Sequence, residues 1–164
     1  MTRTGCLLLA TLSSLLGACT APDELGTTAS PILGGTLVTS GEFTTVVALE
    51  AGPGQFFCTG TLIAPTWVLT AAHCVDGAPQ GAIKIRLDAL DVRTGSEGLA
   101  VATMGHYANP GFGAVQWGDD VALIQLAAPL ARPVTPIERT PIAIGTGVTQ
   151  VGYGMTADEG ESGG

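Results

Sequence analysis

A chain of 164 residues with a formal net charge of −8 has room for one domain, or part of a larger one, and is too acidic to neutralise a phosphate backbone. Its basic residues, Arg3, Lys84, Arg86, Arg93, Arg132 and Arg139, are scattered, which argues against any nucleic-acid partner. Hydrophobic residues make up 46% and charged ones 12%, while 24 glycines and 10 prolines cut the apolar runs short, so an all-β sandwich or barrel is expected and a helical bundle is not.

The first element in chain order is a leader. Arg3 supplies a positive start and residues 7–16 an apolar stretch too short to span a membrane as a mature helix. Leu16-Gly17-Ala18-Cys19 follows, and a small-residue pair before a cysteine resembles the bacterial lipoprotein signal. Cys19 is therefore the expected lipidation site and membrane attachment, with ordinary cleavage near Ala18 or Ala21 as the alternative. Residues 1–19 are read as signal peptide, 20–31 as a tether or pro-segment and 32–164 as the folded domain, exported to the outer membrane or periplasm, or secreted.

Residues 44–50 are β-branched and apolar and read as a wall strand, followed by a Gly52-Pro53-Gly54 turn. Residues 55–64 form the next strand, which carries Cys58; Ala64-Pro65-Thr66 turns the chain into a strand over residues 67–70 that delivers His73 to the edge of a core. Cys58 and Cys74 flank this hairpin, and in an oxidising compartment they suggest one disulfide, worth about 3 kcal/mol for a loop of this size. A metal site is the alternative. It ranks below the disulfide because neighbours such as His73 and Cys74 on a strand point to opposite faces, so no metal and no cofactor is expected.

Residues 82–88 alternate apolar and charged side chains, and residues 99–107 make a further strand ending at His106. Gly118-Asp119-Asp120 then opens the most continuous apolar strand, residues 121–126. A carboxylate at the mouth of such a strand is costly unless hydrogen-bonded or paired, and a strand-capping turn accounts for at least one of the two aspartates. Residues 127–140 are a proline-rich connector, residues 147–154 read as a last strand, and the final ten residues are loop-like.

A histidine at a strand end and an aspartate about 45 residues later match the order of a His-Asp-Ser triad in which serine comes last. From residue 32 onwards the chain resembles the trypsin-like serine proteases. Thr70-Ala71-Ala72-His73-Cys74 resembles the family's histidine motif, Cys58 the partner of its nearby disulfide, and Asp120-Val121-Ala122-Leu123-Ile124 the aspartate motif, which selects Asp120 over Asp119. Ile32-Leu33-Gly34-Gly35 resembles the mature N-terminus, and Gly152-Tyr153-Gly154 the Gly-Trp-Gly that opens the second barrel. His106-Tyr107-Ala108-Asn109-Pro110 resembles the family's His-Pro-x-Tyr loop, which makes His106 structural. The resemblance implies a trypsin-like antiparallel β-barrel, the first barrel plus the start of an incomplete second one. It also implies a serine endopeptidase acting on protein or peptide substrates, with His73 and Asp120 catalytic.

The family's serine lies roughly 90 residues beyond its aspartate, past Gly164, so the nucleophile, oxyanion amides and substrate pocket are expected on a missing C-terminal half and the chain is expected to be inactive alone. Gly160-Glu161-Ser162-Gly163-Gly164 mimics the family's serine motif, but Ser162 has no strands behind it to build a rigid turn and reads as loop rather than nucleophile. Pro31 precedes Ile32 where the family carries a basic residue, so an unusual activation cleavage is expected if there is one. The alternative reading is a non-catalytic, lipid-anchored β-barrel binding module.

Overall fold

The computed structural model describes residues 35–92, 97–115 and 118–154. Cys19, Ile32 and Ser162 therefore lie outside the described residues.

Short apolar runs separated by glycine turns become strands: β1 (Val46–Glu50), β2 (Phe56–Ala64), β3 (Trp67–Thr70), β4 (Lys84–Leu87), β5 (Leu99–Ala108) and β6 (Ala122–Leu126). All neighbours pair antiparallel, and the sheet closes on itself in the order β1-β2-β3-β6-β5-β4. Of the all-β sandwich or barrel expected from composition, the barrel is the fold observed, as the family resemblance implied. The period-two alternation of β4 sends Ile85 and Leu87 inward and leaves Lys84 in water, while β6 buries Ala122, Ile124 and Leu126. Together with Val47, Leu49, Leu62 and Val68 these side chains fill the barrel.

Two features of the wall matter energetically. Gly60 on β2 sits where a Cβ would lie 2.5 Å from Val68 Cγ1 and 3.1 Å from Leu49 Cδ1. Gly60→Ala should therefore overpack the core and lower stability by about 1–3 kcal/mol, read as a lower urea midpoint at unchanged slope. At the end of β1, Glu50 is fully buried and accepts two bonds from Arg86 Nη2, at 3.0 and 2.8 Å, plus one from the Gly54 amide at 3.1 Å. The Arg86 guanidinium also lies 5.8 Å from the centre of the Phe56 ring.

Residues 147–154 depart from the strand expected of them. The β-branched Val148, Thr149 and Val151 suit a strand, but a strand needs a neighbour to complete a ladder, and this segment has none among the described residues. It is irregular instead and touches the barrel at Gly152 and Tyr153. The Tyr153 amide donates to Thr59 Oγ1 at 2.9 Å, and its hydroxyl donates to the Ala89 carbonyl at 2.8 Å. Burial, followed by the nearby Asp88 charge, pushes the Tyr153 phenol up, which keeps that donor protonated. Gly152 makes the approach possible, since a Cβ there would come 3.1 Å from Thr59 Oγ1.

Candidate active site

Strand pairing explains how two residues far apart in sequence meet. β3 and β6 run antiparallel with Thr70 opposite Ala122, so the chain leaving β3 and the chain entering β6 share one end of the barrel. His73 lies just past that end of β3 and Asp120 just before the start of β6. Ala71 and Ala72 bring no bulk between them, and Ala72 is fully buried.

The geometry that results is specific. His73 Nδ1 lies 2.7 Å from Asp120 Oδ2, and the His73 backbone amide donates to Asp120 Oδ1 at 2.8 Å. One carboxylate thus holds both the ring and the backbone of the histidine. A carboxylate can only accept, so Nδ1 carries the proton, and in the neutral ring Nε2 presents the lone pair. The His73 side chain is 49% exposed and that of Asp120 21%, so solvent reaches the ring. Burial works against the Asp120 charge and is the largest single influence. The His73 amide, ring and charge, with the Ala72 amide, together outweigh it and hold the carboxyl below the usual aspartate range. An ionised carboxylate holding Nδ1 of an imidazole is an arrangement that general-base chemistry uses.

Asp119 plays a separate part. It adopts φ 57° and accepts a bond from Asn109 Nδ2 at 3.2 Å, while Asn109 Oδ1 takes the Gly111 amide at 3.0 Å. This latch between the two loops holds the turn from which Asp120 projects. In the sequence Asn109 stands out only as part of the loop motif at residues 106–110, which assigns it no such task. His106 stands apart from the pair: its amide donates to Gln80 Oε1 at 2.7 Å, and its Nε2 lies 3.3 Å from Gln80 Nε2, a structural arrangement.

Cys58 and Cys74 form a disulfide with Cα atoms 6.1 Å apart. The expectation that His73 and Cys74 point to opposite faces is overturned. They lie not on a strand but in hydrogen-bonded turns, where the Cys74 amide donates to Ala71 O and those of Val75 and Asp76 to Ala72 O. The turn brings both side chains to one side, with His73 Nε2 3.4 Å from Cys74 Sγ.

The family model described as Trypsin matches residues 32–163. The chain belongs to the trypsin family. It is 32% identical over 109 residues to brachyurin of Leptuca pugilator, covering 63% of this chain and 47% of the relative. It is 35% identical over 135 residues to human serine protease 56 (Homo sapiens), covering 79% of this chain and 22% of that protein. Against the trypsin of Saccharopolyspora erythraea, identity is 32% over 120 residues, with 70% and 52% covered. Among solved structures, the secreted serine protease VesC from Vibrio cholerae superposes with a TM-score of 0.59 at 31% identity, over 64% of this chain and 23% of VesC. The VesB protease of Vibrio cholerae gives 0.54 at 26%, over 60% and 32%. The chain thus spans about half or less of the length of each relative.

Proposed function

We propose that this chain is the base-bearing part of a serine endopeptidase, in which His73 takes the nucleophile's proton and Asp120 fixes its tautomer and stabilises the imidazolium. The observation that carries this reading is the double hold of one carboxylate on His73, at 2.7 Å to the ring and 2.8 Å to the amide. Serine, oxyanion donors and specificity pocket come from a further barrel, in the same polypeptide or a separate one, and the substrate is a peptide bond. The exposed apolar side chains Ile142, Ile144 and Val148 support a partner surface there.

Fluorophosphonate labelling tests the assignment. The 164-residue chain should stay unlabelled; it should gain a labelled serine only when joined by a trypsin-type second barrel, and should lose that reactivity in His73→Ala. Labelling of Ser162 in the chain alone would overturn it.

Export, with residues 1–18 removed and Cys19 left as a lipidated first residue, belongs to the same reading, supported by the leader composition and the disulfide. Intact mass of the mature chain should show a diacylglyceryl-type addition on Cys19; an unmodified start at Thr20 or later would exclude the anchor.

A further inference from the structure

The disulfide beside the histidine hides a second set of chemistry. Sγ of Cys58, Sγ of Cys74 and a ring nitrogen of His73 all lie within 4.8 Å of one another. In a tetrahedral zinc site with Zn–S near 2.3 Å and Zn–N near 2.0–2.1 Å, a nitrogen and a sulfur ligand stand about 3.6 Å apart. His73 Nε2 and Cys74 Sγ already stand at 3.4 Å. The imidazole is also prepared as zinc-binding imidazoles are: Nδ1 is engaged by a carboxylate, which fixes the tautomer and leaves Nε2 as the donor lone pair. What the oxidised chain lacks is free thiolates.

We propose that reduction of the Cys58–Cys74 disulfide unmasks a Cys2His zinc site made of Cys58, Cys74 and His73. The fourth position is open to water, because the His73 side chain is half exposed. The chemistry balances with a dithiol as reductant. Its two sulfurs exchange through a mixed disulfide, two electrons pass to the S–S bond, and the dithiol leaves as its own disulfide. Both cysteines are then thiols; Zn2+ replaces one proton on each sulfur, and two protons are released. The sulfurs separate to about 3.8 Å, the spacing of two ligands on one tetrahedral ion. Zinc on Nε2 occupies the lone pair that a general base needs, so the reduced, zinc-loaded chain cannot deprotonate a nucleophile. One residue pair therefore has two exclusive states, a covalent staple that leaves His73 free and a metal clamp that blocks it.

The test uses the 164-residue chain carrying Cys6→Ser and Cys19→Ser, reduced with a phosphine that is then removed under anaerobic conditions, and titrated with Co2+ followed by Zn2+. The expected result is one Co2+ per chain, with thiolate-to-cobalt charge-transfer and tetrahedral d–d absorption, bleached by equimolar Zn2+ and absent from the oxidised chain. Asp120→Asn should weaken binding about 10–100-fold through loss of the carboxylate behind the ring, and His73→Gln at least tenfold. The proposal is overturned if the reduced chain shows no thiolate–cobalt band, or if His73→Gln binds as tightly as the parent. It is equally overturned if far-UV circular dichroism shows that reduction alone dissolves the barrel, since the site would then not be preformed. Cys58→Ser, which breaks the disulfide without reductant, serves as a second variant: folded, it should bind Co2+ with a weaker thiolate band, and an unchanged band would count against Cys58 as a ligand.

Discussion

Asp120→Asn should leave the barrel folded while moving the proton on His73. The asparagine can present its amide to Nδ1 as a donor, which favours the tautomer with the proton on Nε2 and removes the lone pair from that nitrogen. Nitrogen-15 shifts of the His73 ring read this directly, and a variant that kept the Nδ1–H tautomer would contradict the assignment. In an assembled enzyme the same exchange should lower kcat about 10^4-fold, the size of loss that trypsin-type triads show. The variant should also differ in its acid stability. Because the folded state holds the Asp120 carboxyl below its ordinary range, the unfolded chain binds more protons between the two values, and stability rises with pH across that window. The contribution is complete above the ordinary aspartate pKa of about 3.9 and is lost as pH falls through the lower folded value. Urea midpoints followed through this range should show that slope in the parent and a shallower one in Asp120→Asn.

The largest effect on stability is expected from Arg86→Ala. The Glu50 side chain is only 2% exposed and that of Arg86 13%, so removing the guanidinium leaves a carboxylate in the barrel wall with the Gly54 amide as its remaining hydrogen-bond donor. Breaking such a pair costs about 3–5 kcal/mol, which for a domain of this size lowers Tm by roughly 10–20 °C. Replacing both partners, as in Glu50→Leu with Arg86→Met, should recover most of the loss, because an apolar pair of similar volume carries no desolvation penalty. Thermal melts of the two single variants and the double one form the cycle. A double variant as unstable as Arg86→Ala would mean that packing rather than charge accounts for the cost.

Much of the barrel was legible in the sequence, because its strands are short apolar runs bounded by glycine and proline, and that signal is local. His73 and Asp120 were legible for a similar reason: each sits in a short motif whose neighbours are themselves distinctive. What brings them together was not. The register of Thr70 against Ala122 depends on β3 pairing with β6 rather than with the next strand in sequence, a choice made by the closing barrel and invisible in either segment. Glu50 and Arg86 were each readable as strand residues, yet their pairing across β1 and β4 was not. Residues 147–154 misled because strand-like composition does not reveal whether a partner strand exists. His73 and Cys74 misled because alternation holds on strands, and the chain had already left its strand.

The anchoring of Tyr153 bears on how a complete enzyme could assemble. Its amide is fixed to Thr59, the residue after Cys58 on β2, so Tyr153 is held at a defined point one residue from the disulfide that adjoins His73. A nucleophile carried on a linker that starts there would meet the imidazole at an effective concentration on the order of millimolar, set by linker length rather than by affinity. A separately encoded half would have to supply that advantage as interface energy, about 4 kcal/mol for each millimolar-to-molar step it replaces. In the proposed two-barrel enzyme, the small bond from a tyrosine amide to a threonine hydroxyl would thus act as a launch point, converting an encounter between two barrels into an intramolecular closure.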